Sequence, residues 1–361
     1  MPAGSSTAAI HADGLAQHVF ETGADIAPPL SVSTTFSCPN VDTDGHIYSR
    51  ITNPTRSRAE TLLAAMEGTD DSPAHAVLYS SGLAATFAVL SRLLPRRVAI
   101  LGGYHGTHLV LDQLHRISGG TRCVAVQLPS PCDVISTLTE GDLIWLETPL
   151  NPTCELADIA AYTAAAAELK NVHVVVDGTF APPPIQRPLL LGADVVMHST
   201  TKYLAGHSDA MGGALCVGSE GLADDLRSDR TALGSTPGTL EVWLLLRSLR
   251  TLHLRVERQS NTATLLAAWL HQATYDLEHP LAGLVHAVHH PSLPSDPSHD
   301  IATRQMNGFG GCFALEVATE SAARQLPAAL NLFCDGAHTQ LSLTMVLRNT
   351  LTVVSFHQRP R

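Results

Sequence analysis

Among 22 basic residues this chain keeps only two lysines, Lys170 and Lys202. Arginine serves nearly everywhere a surface cation is wanted, so a retained lysine invites a reading as an amine. Lys170 ends a helical run from Asp158, where a cation complements the negative end of the helix dipole and needs no chemistry. Lys202 stands differently. It follows a strand-like segment, Asp194 to His198, in "HSTTKYLAGHSDAMGG", beside the hydroxyls of Ser199 and Thr201. Arginine could not replace it in covalent work, because a guanidinium is never deprotonated and forms no Schiff base. Hydroxyls bind phosphate while an amine bonds an aldehyde, so the segment suits a phosphorylated aldehyde.

Two other places fit the same cofactor chemistry. Ser80, Ser81 and Gly82 lie between a strand and the helix that begins near Leu83, where free backbone N–H groups and the helix dipole form an anion site; an ordinary strand-to-helix turn would look the same. Asp177 ends the apolar run Val172 to Val176, at the edge of a sheet where open α/β folds bind ligands. Against a pyridine ring it would keep the ring nitrogen protonated and strengthen the ring as an electron sink, although such an Asp could equally cap the next element. Tyr104, among Gly102, Gly103 and Gly106, either stacks on an aromatic cofactor or packs on the core as a turn residue. The 19 histidines, His286, His289 and His290 among them, include no i, i+4 pair with a helix-borne Glu, and no metal is expected.

The elements that must position these residues alternate. Strand-like runs at Ala76 to Tyr79, Val98 to Leu101, Cys123 to Val126, Leu143 to Glu147, Val172 to Asp177, Asp194 to His198 and Ala214 to Val217 are separated by helical patterns, which predicts an α/β fold with a mostly parallel sheet. After Gly234 the pattern changes to one long helical stretch, Leu240 to about Gln272, then a strand (Cys312 to Val317) and a helix (Ser321 to Leu330). The expected division is an extended N-terminal arm over 1–58, a large domain over 59–234 and a smaller α+β domain over 235–361. The arm is rich in Pro, Ser and Thr and is of the kind that embraces a neighbouring subunit.

Composition narrows the class of function. With 45% hydrophobic and 15% charged residues the chain can bury a sizeable core. A net charge of −11, with no Lys/Arg-rich run, argues against nucleic acid. No apolar run approaches membrane-span length and the N-terminus has no signal-like pattern, so neither membrane insertion nor secretion is expected. The seven cysteines (Cys38, Cys123, Cys132, Cys154, Cys216, Cys312, Cys334) form no C-x-x-C pair and read as reduced thiols of a cytoplasmic protein.

Further motifs then complete a family pattern. "YSRITNPTR" at Tyr48, "SSGLAA" at Ser80, "ETPLNPT" at Glu147, "VVVDGTF" at Val174, "HSTTKYLAGHSD" at His198, "LLLRSLRTL" at Leu244 and "QMNGFGGCFALEV" at Gln305 occur in order. The chain thereby resembles the cystathionine γ-synthase/γ-lyase family of Cys/Met-metabolism enzymes, which depend on pyridoxal 5′-phosphate (PLP), from about Gly14 to Val317. The resemblance implies the PLP fold type I of aspartate aminotransferase-like enzymes. It implies Lys202 as the Schiff-base lysine and general base, Asp177 as partner of the pyridine nitrogen, and backbone groups of Gly82 and Leu83 with Ser199 and Thr201 on the phosphate. It also implies Tyr104 stacked on the ring, Asn151 and Thr179 near ring and substrate, and Tyr48 and Arg50 reaching the phosphate from a neighbouring subunit of a homodimer or homotetramer. The implied reaction is γ-substitution or γ-elimination on an activated homoserine or thioether amino acid, the alternatives being β-elimination of a cysteine conjugate or a PLP-binding paralogue with impaired turnover.

The chain also departs from that family. Gly178 stands where an Asn is usual after the aspartate, and His105 where a Gly is usual after the tyrosine. The C-terminal substrate loop and the helix after it are missing from the pattern. Thr352 takes the place of the arginine that grips the substrate carboxylate, which leaves Arg348 as the candidate substitute and points to an unusual substrate of specialised metabolism.

Overall fold

The computed structural model describes residues 27–37 and 45–329, the backbone of 343–346 and 351–355, and the isolated positions 7, 10 and 12. Strands β1 (His75–Tyr79), β2 (Arg97–Ile100), β3 (Val124–Gln127), β4 (Leu143–Glu147), β5 (His173–Asp177), β6 (Val195–His198) and β7 (Gly213–Val217) form a seven-stranded sheet in the order β1-β7-β6-β5-β4-β2-β3. Only β7 runs antiparallel to its neighbours; β3, β2, β4, β5 and β6 pair in parallel. The mostly parallel α/β sheet expected from the sequence is therefore present, each strand within a residue or so of its predicted place.

Helices follow the strands: α1 (Pro54–Glu67), α2 (Gly82–Leu93), α3 (His105–Ile117), α4 (Ile159–Ala167), α5 (Glu220–Leu233), α6 (Thr239–Leu249), α7 (Leu252–Gln272), α8 (His299–Gln305) and α9 (Glu320–Ala329). A parallel sheet needs cover on both faces, and the strands are apolar at odd and even positions alike. Val77, Tyr79, Val98, Trp145, Val175 and Met197 face α2 and α5 in one buried cluster. Ala99, Ile144, Leu146, Val174 and Val176 meet Ile159, Tyr162 and Ala166 of α4 in another. Trp145 and Tyr79 are fully buried, so the strands are clamped between layers and their carboxyl ends are held in fixed relation.

Strands β8 (Val285–His289), β9 (Cys312–Val317), β10 (Leu343–Val346) and β11 (Leu351–Ser355) make a second, antiparallel sheet in the order β10-β11-β9-β8. Phe313, Leu315 and Val317 of β9 pack with Ala263, Ala267 and Leu270 of α7. Thr352 lies in β11 opposite Leu315. Arg348, like Cys38 and Cys334, lies outside the described residues.

Three sequence expectations need correction. The stretch read as an extended arm to Arg58 turns helical at Pro54, because Asn53 caps α1 by accepting from the N–H groups of Thr55 and Arg56 and Pro54 sits in its first turn. The helical stretch from Leu240 to Gln272 breaks between Leu249 and Leu252; there the Arg255 guanidinium hydrogen-bonds the Ser248 carbonyl at 3.0 Å, satisfying an oxygen at the end of α6. Lys170 does not end a helix, since α4 stops at Ala167. It is exposed and pairs with Glu140 at 3.2 Å, which keeps its role structural by a different contact.

Candidate active site

The site is built at the carboxyl edge of the seven-stranded sheet. Strand β5 ends on Asp177, only 5% exposed, and β6 leads through Ser199 to Lys202. The turn between them is tied by hydrogen bonds: the Asp177 Oδ1 accepts from the Thr179 N–H at 3.0 Å, and the Thr179 hydroxyl oxygen accepts from the Ser199 N–H at 2.9 Å. The Lys202 N–H donates to the Ser199 carbonyl at 3.2 Å and the Gly206 N–H to the Lys202 carbonyl at 2.8 Å. Asp177, Thr179, Ser199 and Lys202, separated in sequence, thus share one bonded frame.

The turn at the start of α2 belongs to the same place. A Cβ on Gly82 would lie 3.1 Å from the Ser199 Cβ and 3.2 Å from its Oγ, so the helix N-terminus sits tightly against that residue and a larger side chain would press on it. Ser81 caps α2 by accepting from the Ala84 N–H at 3.1 Å. Leu83 and the Tyr104 ring both crowd Gly106, whose Cβ would meet Leu83 Cδ2 at 2.8 Å and Tyr104 Cε1 at 2.4 Å. Gly82, Leu83, Ser199 and Tyr104 therefore converge. Thr201 differs from expectation in its bonding: its hydroxyl accepts from the Gly212 N–H at 3.1 Å and donates to the Gly212 carbonyl at 3.3 Å. It pins the lysine turn to the start of β7, and a phosphate would have to compete for it.

Electrostatics distinguish the two ends of this group. Burial lowers the pKa of the Lys202 amine from its ordinary 10.5, with the neighbouring Cys312 sulfur acting the other way; a buried amine is more readily neutral and nucleophilic. Burial raises the Asp177 carboxyl, with Thr179 and His198 pulling it back down. In the register of β4 and β5, Asp177 stands opposite Glu147, whose carboxyl is pushed up to about 8 by burial and by the Asp177 charge. A buried Asp and a half-buried Glu side by side call for a cation, and a protonated pyridine nitrogen is one. An amine that burial helps to neutralise, a hydroxyl at a helix N-terminus, an aromatic ring and this acid pair together fit PLP.

Tyr48 and Arg50 are not brought into that group within one chain. Tyr48 is 40% exposed, the Arg50 guanidinium lies 5.3 Å over its ring, and among the described residues neither side chain hydrogen-bonds to the Lys202 frame. The loop they sit on is nevertheless firmly held. Arg56 donates to the carbonyls of Ser49 and Ile51, each at 2.8 Å, and Asn53 donates to the Ser49 hydroxyl and the Ser31 carbonyl, both at 3.1 Å. The second half of "YSRITNPTR" thus builds the platform for the first.

Several contributors went unread in the sequence. Glu147 accepts from the backbone N–H of Tyr104 at 2.7 Å through Oε2 and of Asn151 at 2.8 Å through Oε1. Arg255 holds the turn after Lys202 by donating to the carbonyls of Tyr203 at 2.8 Å and Leu204 at 3.3 Å. Tyr203 in turn bonds the Cys312 sulfur at 3.0 Å. Glu147 offered a signal, a carboxylate at the end of a fully apolar strand just like Asp177; Arg255 and Cys312 offered none, because their partners are remote in the chain.

Comparison with known proteins agrees with this geometry. Residues 6–339 match the family model described as Cys/Met metabolism PLP-dependent enzyme. A probable cystathionine γ-synthase of Herpetosiphon aurantiacus is 38% identical over 318 residues, 87% of this chain and 94% of that protein. An L-methionine γ-lyase of Pseudomonas deceptionensis is 35% identical over 345 residues, 91% of this chain and 82% of that one. The crystal structure of an apo methionine γ-lyase from Micromonospora echinospora superposes with a TM-score of 0.84 at 33% identity, covering 98% of this chain and 94% of that one. With the match covering the whole seven-stranded sheet and the lysine frame at its edge, the chain belongs to the Cys/Met-metabolism PLP-dependent enzymes.

Proposed function

We propose that this enzyme catalyses γ-substitution or γ-elimination on an activated homoserine or thioether amino acid, using Lys202 as the base. The observation that carries the reading is the half-buried Lys202 amine, depressed in pKa by that burial, in one hydrogen-bonded frame with the buried Asp177. Relatives named cystathionine γ-synthase, cystathionine γ-lyase and L-methionine γ-lyase support the reaction class. Bound PLP supplies an electron sink that acidifies the Cα–H of an amino acid and opens the path to loss of a group at Cγ.

The chain's own residues do the rest. Lys202 would hold the cofactor through its amine, and the same amine in its neutral form would accept the Cα proton. Asp177 keeps a proton on the ring nitrogen. Backbone N–H groups of Gly82 and Leu83 and the hydroxyl of Ser199 hold the phosphate, with Thr201 steadying the turn and able to join them. Tyr104 lies along the ring face, and Asn151 and Thr179 line the ring and substrate side. Tyr48 and Arg50 come from a second copy, which makes the enzyme a homodimer or homotetramer with shared sites; we place it in the cytoplasm. The substrate carboxylate falls to Arg348 where the family arginine is replaced by Thr352. The smaller antiparallel sheet and its helices, from about residue 235, form the substrate-side domain.

Product analysis by mass spectrometry with cystathionine, O-succinylhomoserine, methionine and cysteine conjugates tests the reading. γ-Elimination releases 2-oxobutyrate, ammonia and the γ-substituent; γ-substitution, run with L-cysteine added as the thiol, joins that thiol at Cγ and releases the displaced group, such as succinate, without an oxo acid. Pyruvate as the sole oxo acid would assign β-elimination instead, and no product from any member would point to a PLP-binding paralogue without turnover. An unusual substrate further requires kcat/KM for cystathionine and O-succinylhomoserine to fall below the common enzymic range of about 10⁴ M⁻¹s⁻¹.

A further inference from the structure

We infer that Glu147 is a positioning residue of this active site: its half-buried carboxyl bridges the segments carrying Tyr104 and Asn151, beside Asp177 in the sheet register. Two segments meet on this one side chain, one of them 43 residues away and the other in the turn that follows β4. Oε2 accepts from the N–H of Tyr104 at 2.7 Å, at the N-terminus of α3, and Oε1 accepts from the N–H of Asn151 at 2.8 Å, after β4. The register of β4 and β5 places Glu147 opposite Asp177, so both side chains leave the same face of the sheet. The segments of Tyr104 and Asn151 therefore share one carboxyl as their common support, beside the partner proposed for the ring nitrogen.

The surroundings are shaped around that carboxyl. Gly103 has φ of +83°, and a Cβ there would lie 2.4 Å from Glu147 Oε2, so the loop can close over the carboxyl only because the residue before Tyr104 is glycine. Leu150 closes the same pocket, 3.2 Å from that Cβ position. Of the groups acting on Glu147, Tyr104 and Asn151 offer backbone N–H bonds that favour its ionised form, whereas burial and the charge of Asp177 oppose ionisation; His198, on β6, acts in turn on Asp177. Both oxygens of a carboxylate accept hydrogen bonds, but a glutamine turns an NH₂ group toward one of the two N–H donors and must lose that bond. Glu147→Gln therefore keeps the volume and releases either Tyr104 or Asn151.

The inference rests on the reading of Lys202 and Asp177 as the cofactor's holders, and the experiment separates the two. Holoenzymes of wild type, Glu147→Gln, Glu147→Asp and Gly103→Ala are compared for PLP affinity, for the visible circular dichroism per bound PLP, which reports the seating of the ring, and for kcat and KM. Glu147→Gln is expected to weaken PLP binding by about 10- to 100-fold, as the loss of one charge-assisted hydrogen bond does, to shrink the dichroic band, and to lower kcat more than it raises KM. Glu147→Asp should restore part of the band, because two acceptor oxygens remain. Gly103→Ala disturbs the carboxyl without altering its charge and should shrink the band in the same way; it decides the matter should Glu147→Gln fail to fold. Wild-type PLP affinity and an unchanged band in the folded variants would overturn the role of Glu147. Borohydride fixation of PLP away from Lys202 would instead overturn the site reading on which it rests.

Discussion

The carboxyl edge of the large sheet and the loop of Tyr48 and Arg50 are both tied by hydrogen bonds, yet the first turns its polar groups inward and the second leaves its side chains exposed. At the sheet edge Asp177 is 5% exposed and its turn is closed by Thr179 and Ser199. On the loop, Arg56 and Asn53 fix the backbone, but Tyr48 is 40% exposed and, among the described residues, the Arg50 guanidinium finds only the Tyr48 ring. Spending buried arginine hydrogen bonds to hold an exposed aromatic and cation in place makes sense when something else docks against them. The difference teaches where to test the proposal that one chain carries the cofactor's floor and a neighbour completes the phosphate's grip.

The comparison can be broken most decisively at the floor. Lys202→Ala should abolish the visible absorption of bound PLP at the lysine adduct and lower turnover by about 10²–10⁴-fold, the usual worth of a positioned general base, or more. Lys170→Ala, which removes only an exposed ion pair, should leave both unchanged. Borohydride reduction followed by peptide mapping checks the assignment, and a label on Lys170 would end it. Asp177→Asn comes next: the amide cannot keep the ring nitrogen protonated, so PLP is partly retained while kcat falls by about 10²-fold or more. Near-wild-type turnover would remove Asp177 from the chemistry.

The loop is tested by complementation. Arg50→Ala should weaken PLP binding by about tenfold or more, the scale of a charge-assisted contact. Unfolding Arg50→Ala with Lys202→Ala chains and refolding them together should yield hybrids with one intact site per dimer, with activity well above either parent. Hybrids verified by native mass spectrometry that remain as inactive as both parents would place Arg50 and Lys202 in the same subunit's site, or Arg50 in none.

The smallest expected effect sharpens the floor. Glu147 is raised from an ordinary 4.5 to about 8 in the folded chain, so between those values the folded state binds the extra proton. With more protons bound in the native than in the unfolded state, stability falls as pH rises. The stability of the apoprotein should therefore decline relative to that of Glu147→Gln across pH 4.5 to 8, measured by urea melts at each pH, whereas Arg50→Ala, which removes no carboxyl, supplies the reference. Parallel curves for wild type and Glu147→Gln across that window would show that the acid pair is not strained.

Much of this site is legible in the sequence because its parts obey local rules. Asp177 and Lys202 stand out as a carboxylate and a rare lysine at the ends of apolar strands, and β4 lies where the sequence places it, Leu143 to Glu147, since a run of Leu, Ile and Trp suits a strand buried on both faces. The start of α1 is encoded too, in Asn53 and Pro54, although the Pro- and Ser-rich composition ahead of it suggests an arm running further. What only the tertiary structure decided is who stands beside whom. Glu147 became the neighbour of Asp177 through strand register, Arg255 meets the turn after Lys202 from the first turn of a helix that periodicity alone would have run on from the one before it, and Tyr48 and Arg50 were left outside the lysine frame. Hydrophobic period and capping residues act over a few positions along the chain, whereas burial, charge coupling and hydrogen bonding between distant segments exist only once the sheet has closed and excluded water from its edge.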